Sequence, residues 1–140
     1  MRIRAREPED TPAVEQLLAA AGLPADGLEA TNGWILLEDG QIHGHIALEC
    51  AENATVLRSL VVSKECQGRG YGRALLDFAE AALAARGPGL RVLRTDSIGD
   101  WVLRRGYRPA RLGDLPAPVR GTTQFSGDLC ASTPVYVKEN

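Results

Sequence analysis

A chain of 140 residues is long enough to bury one core and too short for two ordinary domains. It is therefore read as one domain over residues 1–140. Sixteen Lys and Arg against eighteen Asp and Glu give a formal charge of −2 and a sequence pI near 5.7, which argues against a phosphate-coating basic surface and so against nucleic acid as a partner. Cys50, Cys66 and Cys130 are an odd number without CxxC spacing, so neither a disulfide framework nor a thiolate zinc site is indicated and a reducing compartment fits. The first residues lack the apolar core of a signal peptide, and no segment approaches the roughly 20 apolar residues of a membrane span. The expectation is a cytoplasmic, soluble protein with no membrane partner.

In chain order, residues 2–6 read as a short strand. Glu7-Pro-Glu-Asp-Thr-Pro supplies the acids and prolines of a helix start. Val14, Leu17, Leu18 and Ala21 then recur at helical spacing until Gly22 and Pro24 end the pattern. A loop or short helical turn leads to Asn32-Gly33. The runs from Trp34 and from Gln41 to Glu49, joined by Asp39-Gly40, read as a tight hairpin, and Ala54 to Ser63 as a third strand of the same meander. After a glycine-rich stretch, Leu75, Leu76, Ala79, Ala82 and Leu83 mark a helix that Gly87-Pro-Gly stops. Leu90 to Thr95 reads as a strand, Ser97 to Arg105 as a short helix, and Gly106-Tyr107 as the beginning of another strand. Prolines at 109, 116 and 118 break the region beyond, and Pro134 to Lys138 reads as the last strand. This order predicts a mixed α/β sheet.

The stretch Glu65-Cys-Gln-Gly-Arg-Gly-Tyr-Gly-Arg73 joins a β-branched strand to a helix. Glycines there let backbone N–H groups approach a ligand closely, and a helix start adds unpaired donors and a partial positive charge. Such a loop suits an anion such as a pyrophosphate, with Arg69 and Arg73 adding charge at its rim. It has rival readings. It lacks the Gly-Lys-Ser/Thr ending of a Walker A loop, and it follows an antiparallel meander where a dinucleotide-binding loop is expected after the first strand of a parallel unit. A plain strand-to-helix connection is the third alternative.

Here the chain resembles the GNAT N-acetyltransferase superfamily, whose Q/R-x-x-G-x-G/A motif stands as Gln67-Gly-Arg-Gly-Tyr-Gly72. The resemblance extends to Leu60-Val-Val62 and to Trp101-Val-Leu-Arg-Arg-Gly-Tyr107. It implies a GNAT fold, with an antiparallel N-terminal meander, splayed parallel strands and helices on both faces. It also implies acetyl-CoA as co-substrate. The pyrophosphate would lie on Gln67, Gly68, Arg69, Gly70, Tyr71, Gly72 and Arg73, and the pantetheine arm would pair with Leu60, Val61 and Val62. Homodimers are frequent in the family, but no apolar stripe in the sequence points to one. A narrower resemblance, carried by Ala20 to Pro24, Leu57 to Val62, Pro116, Thr122, Phe125, Leu129 and Cys130, is to the GNAT subgroup found beside arsenic-resistance genes. It implies acetylation of a small amine-bearing toxicant or metabolite. A lone thiol such as Cys130 is a poor chelator.

Acetyl transfer requires a neutral amine, a stabilised oxyanion and a protonated leaving thiolate. Glu49, near the end of its strand, is the candidate base, with Glu52 the weaker one; a solvated strand-end acid is the alternative reading. The resemblance places a thiolate-protonating tyrosine where this chain has Val102, which cannot donate. Tyr107 reads as core aromatic. Thr95 stands where relatives carry a cofactor-facing Asn. Strict alternation would turn Arg58 opposite to Ser59, toward an acceptor carboxylate, with a surface arginine as the alternative. His43 and His45 would share one face, without a third ligand to suggest a metal. Trp34 and Tyr71 read as packing residues, Tyr71 beneath the loop. The function expected is an N-acetyltransferase acting on a primary amine of a small molecule. A CoA-binding sensor without catalysis and a protein amine acetyltransferase remain the rivals.

Overall fold

In the computed structural model, which describes residues 1–95, 98–122 and 134–139, the meander forms where its turn residues predict. Asp39 and Gly40 both take positive φ (53° and 78°), the conformation a two-residue hairpin turn demands. They join β2 (Asn32–Glu38) to β3 (Gln41–Ala51). Asn53, at φ 58°, turns β3 into β4 (Ala54–Val62). The first strand, β1 (Arg2–Ala5), pairs antiparallel with β2. A 3-10 turn at Pro8–Asp10 leads into α1 (Thr11–Ala20).

Beyond the glycine-rich loop run α2 (Tyr71–Arg86), β5 (Leu90–Arg94), α3 (Gly99–Arg104), β6 (Arg108–Ala110), α4 (Ala117–Arg120) and β7 (Val135–Glu139). Among the boundaries that move, two lie around α3. The strand expected at Gly106-Tyr107 begins at Arg108, because Gly106 at φ 94° is still ending α3. The helix expected from Ser97 begins at Gly99, Ser97 itself lying outside the described residues.

The seven-stranded sheet has the order β1-β2-β3-β4-β5-β7-β6. Among the described residues only β4 and β5 pair in parallel. One face packs on α2 and α3 through Leu36, Ile46, Leu48, Leu57, Leu75, Leu76, Leu93 and Val102. Full burial of each such aliphatic chain contributes about 1.5–3 kcal/mol. The opposite face carries two smaller clusters. Val14, Leu18, Leu28, Ile35 and Val61 lie under α1, and Val56, Val92, Leu115, Val119 and Val135 under α4 and the turn before it. Among the described residues no helix is long and apolar enough to cross a membrane.

Two features of this sheet create a site. The β4–β5 ladder runs only from Ala54↔Leu90 to Leu57↔Leu93, so from Arg58 to Val62 the β5 side of β4 has no strand partner among the described residues. In the same stretch β4 bulges. His45 faces Val61 and Ala47 faces Arg58, with a register break between them, and Ser59 takes φ 55°. A left-handed serine costs about 1–2 kcal/mol, so other contacts must hold it there.

Candidate functional site

The open edge of β4 leads straight into the glycine-rich loop. Gly68 and Gly70 stand at φ 84° and 82°, and a Cβ built on either would meet nothing within 4 Å. The space over the loop is therefore open. Gly70 is the N-cap of α2 and offers no side chain to cap it. The first backbone bond of the helix is Ala74 N–H to the Gly70 carbonyl. Among the described residues, the N–H groups from Gly68 through Arg73 donate to no protein group. A row of unclaimed amides at the start of a 16-residue helix offers an anion both hydrogen bonds and a favourable dipole, in an open cradle of the kind a pyrophosphate needs.

The side chains of the loop are less uniform than its amides. Gln67 folds back, its Nε2 donating to the Val62 carbonyl at 3.2 Å while its backbone N–H donates to Lys64, so it braces the loop. Tyr71 donates its hydroxyl to Glu38 Oε2 at 2.6 Å. That bond, with burial adding to it, raises the phenol's pKa; the same bond lowers that of Glu38, against the raising effect of burial. The ring does pack against the α2-facing core, but the hydroxyl tie across to β2 was not legible in the sequence. Arg69 also reaches Glu38, at 3.3 Å, and is partly neutralised there. Arg73 is exposed and has no ion pair among the described residues.

Glu49 and Arg58, singled out separately in the sequence, meet. They form a buried ion pair at 3.4 Å, with side chains 9% and 2% exposed, on the face away from α2, between the two smaller clusters. Arg58 Nε donates to Ser59 Oγ at 3.1 Å and Nη2 to the Asp26 carbonyl at 2.6 Å. This corrects the expectation that Arg58 and Ser59 face opposite ways. The left-handed Ser59 breaks the strand alternation and brings its hydroxyl round to the arginine. Glu52 lies in the exposed β3–β4 turn, at the far end of β4 from the loop. At about 3.3 Å per residue, that separation removes it from the site.

The two histidines go to different partners, and no cluster of metal-binding side chains occurs among the described residues. His43 Nδ1 contacts Ser63 Oγ at 3.0 Å and Glu65 at 3.4 Å. His45 is fully buried. Its Nε2 meets Arg6 Nη1 at 2.8 Å and its Nδ1 the Ser59 carbonyl at 2.9 Å. A guanidinium is always a donor, so Nε2 accepts and Nδ1 carries the proton that it donates to Ser59. Burial first, and then the charges of Arg6 and Arg58, push the His45 pKa down to about 4, against the raising effect of the Ser59 bond. Arg6 is itself fixed by Nη2 donating to the Leu28 and Thr31 carbonyls, both at 3.0 Å. The chain Arg6 to His45 to Ser59 is what holds the bulge. No local pattern signals it, because Arg6 lies just past a short edge strand.

On the other side of the gap, Thr95 directly follows β5. Its Oγ1 accepts from Ile98 N–H at 3.3 Å and so shapes the turn into α3. Val102 is fully buried. Tyr107 is 3% exposed and donates to Glu80 at 3.0 Å; burial, then the Glu80 charge, push its phenol well above the usual range. Trp34 packs on α2, edge to face with Phe78 at 5.4 Å.

A model of the acetyltransferase (GNAT) domain family matches residues 29–109, more than half of the chain. Among solved structures, a GNAT-family acetyltransferase from Staphylococcus aureus Mu50 superposes with TM-score 0.82 at 16% identity, covering 99% of this chain and 98% of that one. The E. coli GNAT family N-acetyltransferase YhbS, in complex with CoA, gives 0.72 at 24%, covering 99% and 80%. N-acetylglutamate synthase from Neisseria gonorrhoeae, complexed with CoA and N-acetyl-glutamate, gives 0.79 at 23%, covering 99% of this chain but only 35% of the synthase. The chain thus spans about a third of that protein's length. With the family match lying across the meander, the bulged strand, the amide-lined loop and α3, the chain belongs to the GNAT acetyltransferase family.

Proposed function

We propose that this protein transfers the acetyl group of acetyl-CoA to a primary amine of a small molecule, by direct attack within a ternary complex. The observation that carries the reading is the row of unpartnered amides from Gly68 to Arg73 at the head of α2. It suits the CoA pyrophosphate, with Arg73 supplying charge at the rim. The co-substrate brings the activated thioester. The rest of the chemistry falls to the protein.

The unpaired edge of β4, Leu60 to Val62, offers backbone donors and acceptors to the pantetheine amides, and backbone N–H groups at the bulge beside Ser59 serve the thioester carbonyl. Preorganised backbone donors of this kind stabilise a developing oxyanion without reorganising. Glu49 is the base. Its carboxylate attracts the acceptor's ammonium and takes the proton that must leave before the nitrogen attacks. Arg58, read from the sequence as a carboxylate ligand, enters here as the group that orients Glu49, since its donors are committed to Glu49, Ser59 and Asp26. Thr95 shapes the β5 side of the gap.

The narrower resemblance supports a toxicant or metabolite amine as acceptor, in arsenic-related resistance, and a cytoplasmic setting. Of the residues that carry it, Phe125, Leu129 and Cys130 lie outside the described residues. The test is release of free CoA from acetyl-CoA by the purified protein across a panel of amino acids, aminoglycosides, polyamines and amine-bearing arsenicals. Turnover with particular small amines is the expected result. Tight CoA binding without turnover on any member would overturn the enzymatic reading in favour of a sensor, and turnover only on peptide amines would overturn the small-molecule reading.

A further inference from the structure

The departing CoA sulfur needs a proton, and the α3 position that the family resemblance assigns to its donor is the buried Val102. The sequence contains three tyrosines, and their surroundings separate them. Tyr71 is committed to Glu38 beside the loop. Tyr107 is buried and committed to Glu80 beneath α3. Tyr136, on β7, donates to nothing among the described residues.

Its place in the fold is distinctive. Tyr136 is registered against Leu93 of β5, and Leu93 is the last residue of β5 that pairs with β4, opposite Leu57. Tyr136 thus stands at the rung where the parallel strands separate, two strands from Leu57, or about 10 Å. Its side chain lies on the face that packs against α2 and α3. It lines a cavity of about 450 Å³ with Thr95, Gly99, Trp101 and Arg104, at the end of β5 bordering the gap. Gly99 keeps this position open. A Cβ there would clash with the Tyr136 hydroxyl, so the first residue of α3 must be small for the phenol to reach the cavity.

We propose that the Tyr136 hydroxyl is the proton donor to the CoA thiolate. This rests on the acetyltransferase reading above. The acceptor nitrogen bonds to the acetyl carbon, the carbon–sulfur bond breaks, and the sulfur takes the phenolic proton to give free CoA thiol. The ammonium proton that Glu49 took before attack passes to solvent, Glu49 then takes the second proton that the nitrogen sheds as it becomes an amide, and exchange with solvent returns the phenolate to phenol and Glu49 to carboxylate.

The test compares wild type and Tyr136→Phe on two donors, acetyl-CoA and the acetyl thioester of 4-nitrothiophenol, with the best acceptor of the amine panel. With acetyl-CoA, kcat falls about a hundredfold, the low end of what a positioned acid supplies, and KM stays within about twofold. With the aryl thioester, whose thiolate leaves without a proton, the deficit in kcat/KM shrinks to about threefold or less. Among the described residues the removed hydroxyl donates to nothing, so the urea midpoint is unchanged. A Tyr136→Phe enzyme within about twofold of wild type on acetyl-CoA overturns the assignment, as does an equal loss on both donors, which marks a packing role. Absence of wild-type turnover on the whole panel overturns the acetyltransferase reading itself and the assignment with it.

Discussion

His45 offers a perturbation whose size follows from the structure. Its imidazole is fully buried between the Arg6 guanidinium and the Ser59 carbonyl, and its pKa falls from 6.5 to about 4. Because the folded pKa is depressed, the unfolded chain binds more protons between these values, and stability drops as pH falls through the window. At pH 5.0 the unfolded imidazole is almost wholly protonated and the folded one about a tenth so, a difference of about 2 kcal/mol. At pH 7.5 the difference vanishes. Asp10 and Glu38, held low chiefly by bonds from Arg4 and Tyr71, lose their contributions lower down, as pH falls through the carboxylate range. We expect urea unfolding of the wild type to lose about 2 kcal/mol more between pH 7.5 and 5.0 than His45→Asn, whose amide nitrogen can keep the bond to Ser59 but does not titrate. The variant starts about 1–3 kcal/mol lower at pH 7.5, because Arg6 loses a buried acceptor. Parallel pH dependences for the two proteins would refute the argument.

Two further expectations concern the buried pair. Glu49→Gln lowers kcat about 10²-fold, read by CoA release; a kcat within about twofold of wild type means that Glu49 is not the base. Arg58→Met takes the buried guanidinium away from the Glu49 carboxylate and costs about 3–5 kcal/mol in urea unfolding. Adding Glu49→Gln recovers part of that loss, and strictly additive effects would show the two groups to be uncoupled.

The fold was legible because its signals are local. Asp39-Gly40 sets its hairpin by backbone conformation, and the spacing of Leu75, Leu76, Ala79 and Leu83 sets α2 by periodicity. The glycine loop was legible for the same reason, since positive φ and absent Cβ atoms are properties of single residues. What stayed hidden depends on contacts between distant residues. Glu49 and Arg58 were each singled out, but their pairing follows from a bulge at Ser59 that no periodicity announces. His43 and His45 looked alike in alternation and have different partners. Tyr136 read as one residue in a last strand, and its significance appears only when β7 is seen to insert beside β5 at the rung where the sheet opens.

The central claim is that the amides from Gly68 to Arg73 hold the pyrophosphate of CoA, and calorimetric binding tests it most directly. Wild type, Gly70→Asn and Gly70→Asp are titrated with CoA and with pantetheine, which lacks the pyrophosphate. Asn and Asp both tolerate the φ of 82° better than other side chains and have nearly the same shape, so charge is the variable. Gly70→Asp is expected to weaken CoA at least about tenfold relative to Gly70→Asn, by repulsion between carboxylate and phosphate, and to leave pantetheine unchanged. Equal CoA affinity in the two variants would contradict it.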